Sequence, residues 1–438
     1  MAQLVGGGPA ARLARGAGTA FAVSAAGTLV VFANQALLAR VLGADAYGRY
    51  IYAVTWVGLL VILSNAGLGS AAVRFVSEYS STNRYALLRG FLRRSTQVVL
   101  LLSLILAAFL AVAVTLMRPR VGDELARVFW VSCLLLPIWS LLELRSASLR
   151  GFKRILAAQG PPQVLRPVLF AVGILGLYFL RSEGVSAPLA VLANIMATVV
   201  SLASVQVLLG RSLAGERSVQ VETRSREWLA VSVPLLLMAG FGVILRSTDT
   251  LMLGFFRGTT EAGVYAVASR AATFVPFMLT AVNIMAAPMI AEYYAAGDRR
   301  RLQRTLKVGA WAASAFALVV SAALAIGGRP LLSVFGAEFG VGYAPMLILI
   351  GGQILNCLAG SVGNLLTMTG HQNHAMVILG AGAGLNIMLN VVLVPTLGST
   401  GAALATSTSV LLWNGGMLVV VVKRLRLNPT ILPLSIRV

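Results

Sequence analysis

The sequence predicts an all-α polytopic membrane protein of about twelve transmembrane helices, arranged as two pseudo-symmetric six-helix bundles. Three observations predict it. Of 438 residues, 58% are hydrophobic and 11% charged, with a mean hydropathy of +0.86, where a soluble domain carries about 25% charged residues. The apolar residues fall in runs of about 18 to 25 with few charges, long enough to cross a hydrocarbon core of roughly 30 Å. Landmarks of the first half also recur in the second at a near-constant spacing.

Twelve spans fit: 16–40, 50–77, 96–117, 126–148, 165–181, 187–209, 229–255, 263–290, 308–327, 344–369, 375–394 and 401–422. The first follows Arg12 and Arg15, is too long for a signal peptide and lacks a clear cleavage site, so it reads as a retained span. The connections alternate in charge. One set, which includes both termini, the segments around Arg84–Arg94 and Arg150–Arg166, and Arg299–Lys307, holds 23 Lys and Arg; the other set holds eight. By the positive-inside rule both termini of this multi-pass chain are cytoplasmic. The net charge of +21 is therefore read as loop bias and not as nucleic-acid binding. The longest connection, Gly210 to Trp228, is basic and central. The expected organisation is 1–210 as one six-helix bundle, 211–228 as a cytoplasmic linker, 229–422 as the second bundle and 423–438 as a cytoplasmic tail. Cys133 and Cys357 both lie in apolar segments, which favours buried thiols over a disulfide.

The halves repeat. "GRY" with Tyr50 matches "GVY" with Tyr265 at an offset of 215, and "SEY" with Tyr79 matches "AEY" with Tyr293 at 214. Leu88, Leu92 and Arg93 match Leu302, Leu306 and Lys307, and Gly184 matches Gly398, again at 214. Six spans per repeat make the repeats parallel, related by an axis along the membrane normal.

The same residues carry a family resemblance. "LLARVLGADAYGRY" followed by "NAGLGSAAVRFVSEY" resembles the first hairpin of polysaccharide transporters in the multidrug/oligosaccharidyl-lipid/polysaccharide exporter superfamily, and "STDTLMLGFFRGTTEAGVYAVASR" resembles the start of their second half. The resemblance covers about Ala17 to Lys423. It implies two six-helix bundles around a central cavity and a Wzx-type flippase that moves polyprenyl-diphosphate-linked oligosaccharide, an O-antigen or exopolysaccharide repeat unit, by alternating access. Membrane lipids, polysaccharide polymerase and glycosyltransferases are the partners it implies, and no cofactor. The position before "GL" in the second span is often acidic in such sequences; here it reads Asn65-Ala66.

Ionisable groups at membrane depth are costly and face protein or water. Arg74 and Glu78 stand four apart near one end of span two, which suits an interfacial ion pair. Glu143 and Arg145 lie two residues apart near the cytoplasmic end of span four, which suits interfacial snorkelling; Arg145 meets a diphosphate only if it faces the cavity. In span seven Arg246 and Asp249 are three apart, and Arg270 in span eight reaches a similar depth. An Asp249–Arg270 ion pair with Arg246 as second cation is expected, a net positive patch for an anionic headgroup. The first-half equivalents are Asn34 and Thr55, so the patch belongs to one half. Candidate substrate-binding residues are thus Arg246, Arg270, Arg145 and Arg74. H+ or Na+ coupling needs an intramembrane carboxylate, Glu143 or Asp249, and Glu143 is preferred because a paired Asp249 is a poor proton carrier. Pro276 is the hinge candidate in span eight. His371 and His374 are three apart with no third ligand, so no metal site is expected. A drug/cation antiporter of the same superfamily is the alternative transporter, though it would place acids where this chain places arginines. A membrane glycosyltransferase or polymerase would need a sizeable outward loop, and every outward connection is short.

Overall fold

The computed structural model describes residues 9–181, 184–213 and 222–431. Residues 214–221 of the expected linker, with Arg217, and 432–438 of the expected tail, with Arg437, lie outside the described residues. The chain divides into unit 1, Met1–Val243, and unit 2, Ile244–Val438. Among the described residues it is helical, without strands.

Unit 1 contains α1 (Pro9–Asn65), α2 (Leu68–Ser81), α3 (Tyr85–Val121), α4 (Asp123–Gly151) and α5 (Ile155–Gly160). A π-helical turn (Pro161–Leu165), α6 (Arg166–Leu180), α7 (Ala187–Ser212) and the first part of α8 (Ser225–Phe256) follow. Unit 2 holds the rest of α8, then α9 (Thr259–Ala272), α10 (Phe277–Ala295), α11 (Arg299–Ser333) and a 3-10 turn (Ala337–Gly342). It ends with α12 (Tyr343–Ala359), α13 (Val362–Met368), α14 (Gln372–Val420) and a π-helical turn (Val421–Leu425).

Among the described residues, eight helices are long and apolar enough to cross a membrane, or ten if each of two bent pairs is one span. The pairs are Ser225–Leu236 with Gly240–Phe256, bent by 43°, and α9 with α10, bent by 53°. Twelve were expected, and the difference lies in α1 and α14. Each covers two expected spans and runs through a glycine with non-helical angles: Gly43 (φ 73°, ψ 168°) and Gly398 (φ 58°, ψ −136°). A straight helix of the 57 residues in α1 would be about 85 Å long, far more than a bilayer. Gly43 breaks it, adopting angles that a side chain disfavours.

The repeat seen in the sequence is written into the backbone as well. Positive φ recurs at Gly43 and Gly258, 215 apart, and at Asn83 and Gly297, Gly122 and Gly336, and Gly184 and Gly398, each 214 apart. Helix ends therefore recur in register, which chance similarity between apolar stretches would not produce. Near the Gly43 turn, Arg49 pairs with Asp45 and Glu124, and Arg118 with Asp123 at 2.6 Å. Near the Gly258 turn, Arg257 pairs with Glu261 at 3.3 Å. Glu261 also accepts from the Ser399 N–H, at 2.6 Å, beside Gly398.

Large apolar side chains on the outside, among them Phe109, Leu116, Phe179, Leu180 and Ile326, are exposed. Such a surface belongs in hydrocarbon, where it costs nothing to leave it uncovered by protein. The chain is a multi-pass membrane protein. Inside unit 1, Phe75, Tyr79, Phe91 and Trp228 form the centre of one core. Trp228 donates from Nε1 to Tyr79 Oη at 3.0 Å and stands edge-on to Phe91 at 5.3 Å. These contacts fasten the start of α8 to α2 and α3. The division into units falls after Val243, 14 residues beyond the expected start of the second bundle at 229.

In unit 2, Ile290, Leu302, Leu306, Leu365 and Met417 form a core that also takes in Leu425 and Leu427. Gln303 and the Asn428 backbone exchange two hydrogen bonds, at 2.6 and 2.9 Å. The next carbonyl, that of Pro429, lies where a Cβ on Gly360 would be, and Gly360 has φ +71°. Gly360→Ala should therefore cost more than about 1 kcal/mol, lowering Tm by roughly 2–4 °C for each kcal/mol lost. Thermal unfolding of the purified variant in detergent measures this.

Candidate functional site

Among the described residues of unit 2, one carboxylate is buried. Asp249, on α8, is 5% exposed, and three neutral side chains donate to it: Tyr265 Oη on α9 at 2.6 Å, Asn390 Nδ2 at 3.0 Å and Thr406 Oγ1 at 2.5 Å, the last two on α14. Asn386 supports them, giving Nδ2 to Thr406 Oγ1 at 3.1 Å and taking Asn390 Nδ2 on Oδ1 at 3.3 Å. Asn386 and Asn390 are one helical turn apart and so share a face. Thr406 lies beyond the Gly398 break and returns to the same place from the other half of α14. The Oδ1 of Asn390 is buried and has no hydrogen-bond partner among the described residues. The cluster thus gathers one negative charge and several neutral oxygens, with a carbonyl-type oxygen left over.

This corrects the expected Asp249–Arg270 ion pair. Asp249 is held by hydroxyls and an amide, while Arg270 and Arg246 are exposed. Burial separates Arg246 from Asp249 even though they are three residues apart, because α8 turns Asp249 against α9 and α14. The physical reason for the substitution is cost: burying both charges would exact two desolvation penalties, whereas neutral donors satisfy the carboxylate with one. Charge alone had pointed to arginine as the partner. The signal that was missed is "GLNIMLN", which sets two amides four apart in an otherwise apolar helix.

Unit 1 carries a buried-type cluster of its own, built on a cation. Arg166, the first residue of α6, donates from Nε and Nη2 to Asn194 Oδ1 at 3.3 and 3.0 Å and lies 4.3 Å over the ring of Trp139. Asn194, on α7, passes its amide proton to Tyr50 Oη at 2.8 Å, and Tyr50 stacks on Phe170 at 5.9 Å. The charge of Glu143 acts on Arg166 from α4. Asn34 Nδ2 donates to the carbonyl of Pro167 at 2.5 Å, so α1 meets α6 here. The sequence had assigned Arg166 to a basic loop. The π-helical turn Pro161–Leu165 keeps the chain helical through two prolines, and Arg166 enters the bundle instead.

The other expected residues sit apart from both clusters. Arg74 and Glu78 are exposed, and Arg74 lies 5.6 Å over the ring of Phe75. Arg145 is half-buried without an ion-pair partner among the described residues. Pro276 stands at the break between α9 and α10. His371 engages Thr369 through Nδ1, at 3.0 Å to its carbonyl.

Comparison with known proteins adds a family and a fold. The family described as polysaccharide biosynthesis protein matches residues 13–294, and the MatE family matches residues 234–392. The chain is 21% identical over 399 residues to the "probable low-salt glycan biosynthesis flippase Agl15" of Haloferax volcanii, covering 91% of this chain and 81% of that one. Among solved structures, the "lipid II flippase MurJ, inward closed conformation" is similar with a TM-score of 0.72 at 14% identity, over 92% of this chain and 87% of that one. An inward-facing "multidrug resistance MATE family transporter of the MOP superfamily" is similar with a TM-score of 0.70 at 16% identity, over 91% and 94%.

Proposed function

The chain belongs to the polysaccharide biosynthesis protein family, and on that premise we propose that it is a flippase for lipid-linked glycan, a transporter and not an enzyme. The observation that carries the reading is the family match across residues 13–294. The finer reading is export of a polyprenyl-diphosphate-linked O-antigen or exopolysaccharide repeat unit by alternating access between two six-helix halves, 1–210 and 229–422. In that reading the protein lies in a bacterial inner membrane with both termini cytoplasmic, beside the glycosyltransferases and polymerase of the same assembly line. Arg246, Arg270, Arg145 and Arg74 supply the cations for the diphosphate, and Pro276 marks the bend that flexes.

Asp249 is the coupling carboxylate. Its shell of Tyr265, Asn386, Asn390 and Thr406 offers hard oxygens and a single negative charge, which suits one monovalent cation, a proton or sodium. The unpartnered Oδ1 of Asn390 supports the fit, since a cation would give that buried oxygen a partner. Glu143, by contrast, acts on Arg166. It is the less suitable carrier, because the fixed positive charge of Arg166 repels an arriving cation.

The test is a reconstituted vesicle carrying a fluorescent polyprenyl-diphosphate oligosaccharide, with translocation read by enzymatic capture at the far face. Translocation that requires the protein supports the reading. The drug/cation antiporter is the second reading, favoured by the MatE match over residues 234–392. It gains the field if the vesicles move a cationic dye and leave the glycan lipid in place. In the same assay Arg246→Ala with Arg270→Ala should lower the apparent affinity for the glycan lipid roughly 10- to 100-fold, the loss expected for one charge-assisted contact of about 1.5–3 kcal/mol. A variant that accumulates normally and transports at the wild-type rate removes these arginines from the headgroup site.

A further inference from the structure

The two units place polar clusters of opposite charge at repeat-equivalent positions. Tyr50 and Tyr265 are 215 residues apart, as are Asn34 and Asp249. In unit 2 the tyrosine donates to the carboxylate at 2.6 Å; in unit 1 the tyrosine accepts from Asn194, which in turn holds the Arg166 guanidinium. Asn34 lies against the backbone of Pro167, next to Arg166. The position equivalent to the buried acid is thus neutral and holds the backbone carbonyl of the residue that follows Arg166. The shell around the Arg166 charge is all acceptor: the Asn194 oxygen, the face of Trp139 and, at longer range, Glu143.

Resting on the reading of Asp249 as the coupling carboxylate, we propose that the guanidinium of Arg166 is a resident cation, occupying in unit 1 the place that a mobile monovalent cation takes in unit 2. Unit 1 then keeps a constant charge through the transport cycle, and coupling runs through unit 2 alone. A tethered guanidinium cannot leave, is always charged and is pinned by a planar fork on Asn194 and by the indole face. The energetic consequence is that one half is held in a fixed electrostatic state while the other switches, which sets the ion count at one per cycle.

The experiment counts radioactive sodium bound per chain in detergent, with the sodium-induced change in Tm as a parallel readout. Wild type should bind one sodium and Asp249→Asn none. In the Asp249→Asn background, Asn34→Asp should still bind none, because its carboxylate meets Arg166; adding Arg166→Gln should restore one. Sodium binding by Asn34→Asp with Arg166 intact, or none after Arg166→Gln, overturns the resident-cation inference while leaving unit 2 as read. Equal binding in wild type and Asp249→Asn, none in both included, overturns the reading of Asp249 as a sodium-binding carboxylate and the inference together. Should the combined variants fail to fold, Arg166→Ala alone decides. Guanidinium at millimolar concentration should raise its Tm where the same concentration of neutral urea lowers it, and equal effects of the two overturn the inference.

Discussion

Asp249→Asn should accumulate and elute as the wild type does, yet lose ion-stimulated transport by about tenfold or more, the factor that a loss of 1.4 kcal/mol commands. The asparagine keeps an oxygen for the Tyr265 and Thr406 hydroxyls, which lie 2.6 and 2.5 Å from the native carboxylate. What disappears is the charge, and with it the means to hold a cation. Asp249→Leu should behave differently. It strands three donors, from Tyr265, Thr406 and Asn390, in a site where the aspartate is 5% exposed, and each buried group left unsatisfied costs about 1–3 kcal/mol. The leucine variant should therefore misfold or melt early while the asparagine variant does not. Measuring glycan-lipid translocation against a sodium or proton gradient, together with Tm, separates the two roles. Undiminished ion-stimulated transport by a well-folded Asp249→Asn protein would show that coupling lies elsewhere.

The membrane fold was legible because its signals are long and redundant. Eighteen or more apolar residues in a row leave little choice of structure, and the offset near 214 survives in the backbone as recurrent positive φ at pairs such as Gly122 and Gly336. Inside α1 and α14 the backbone leaves helical angles at Gly43 and Gly398, which lie in the connections 41–49 and 395–400 between expected spans. Position 249 was legible as the deep acid of the second half, but its partners were not. Charge is easy to read in a sequence and hydrogen-bond geometry is not: Thr406 is 157 residues from Asp249, and nothing in "GAALATSTSV" says which hydroxyl turns inward. Arg166 was misplaced for a related reason. It was counted with the basic connection although it opens the expected span 165–181, whereas the π-helical turn Pro161–Leu165 continues into α6 and carries the arginine into the bundle. Both errors come from treating residues singly where the structure satisfies them in groups.

Trp228→Ala should be the most destabilising single truncation, costing about 3–5 kcal/mol against a total stability of about 5–15 kcal/mol. The indole is 2% exposed and packs with Phe75, Tyr79 and Phe91 in the core that joins the start of α8 to α2 and α3. Removing it opens a cavity beside Gly90, where the Glu222 carbonyl already occupies the place of a Cβ, so neighbouring backbone has little freedom to close the gap. Trp228→Phe keeps an aromatic ring against Phe91 and loses the bond to Tyr79 Oη, 3.0 Å in the wild type. It also loses part of the indole's volume, and should cost about 1–3 kcal/mol, mostly through the unsatisfied tyrosine. Tyr79→Phe in that background should recover part of the loss, because removing both partners leaves no stranded hydroxyl. Tm of the four proteins in one detergent gives the cycle. The consequence for transport follows from position: residues Glu222 to Trp228 end the basic connection between the halves, and Trp228 anchors that connection to unit 1 at a fixed point. Limited proteolysis should cut between Glu222 and Trp228 in Trp228→Ala and not in wild type or Trp228→Phe. A Trp228→Ala protein within about 1 kcal/mol of wild type, uncut after residue 222, would mean that α8 is held to unit 1 by its apolar length and not by this side chain.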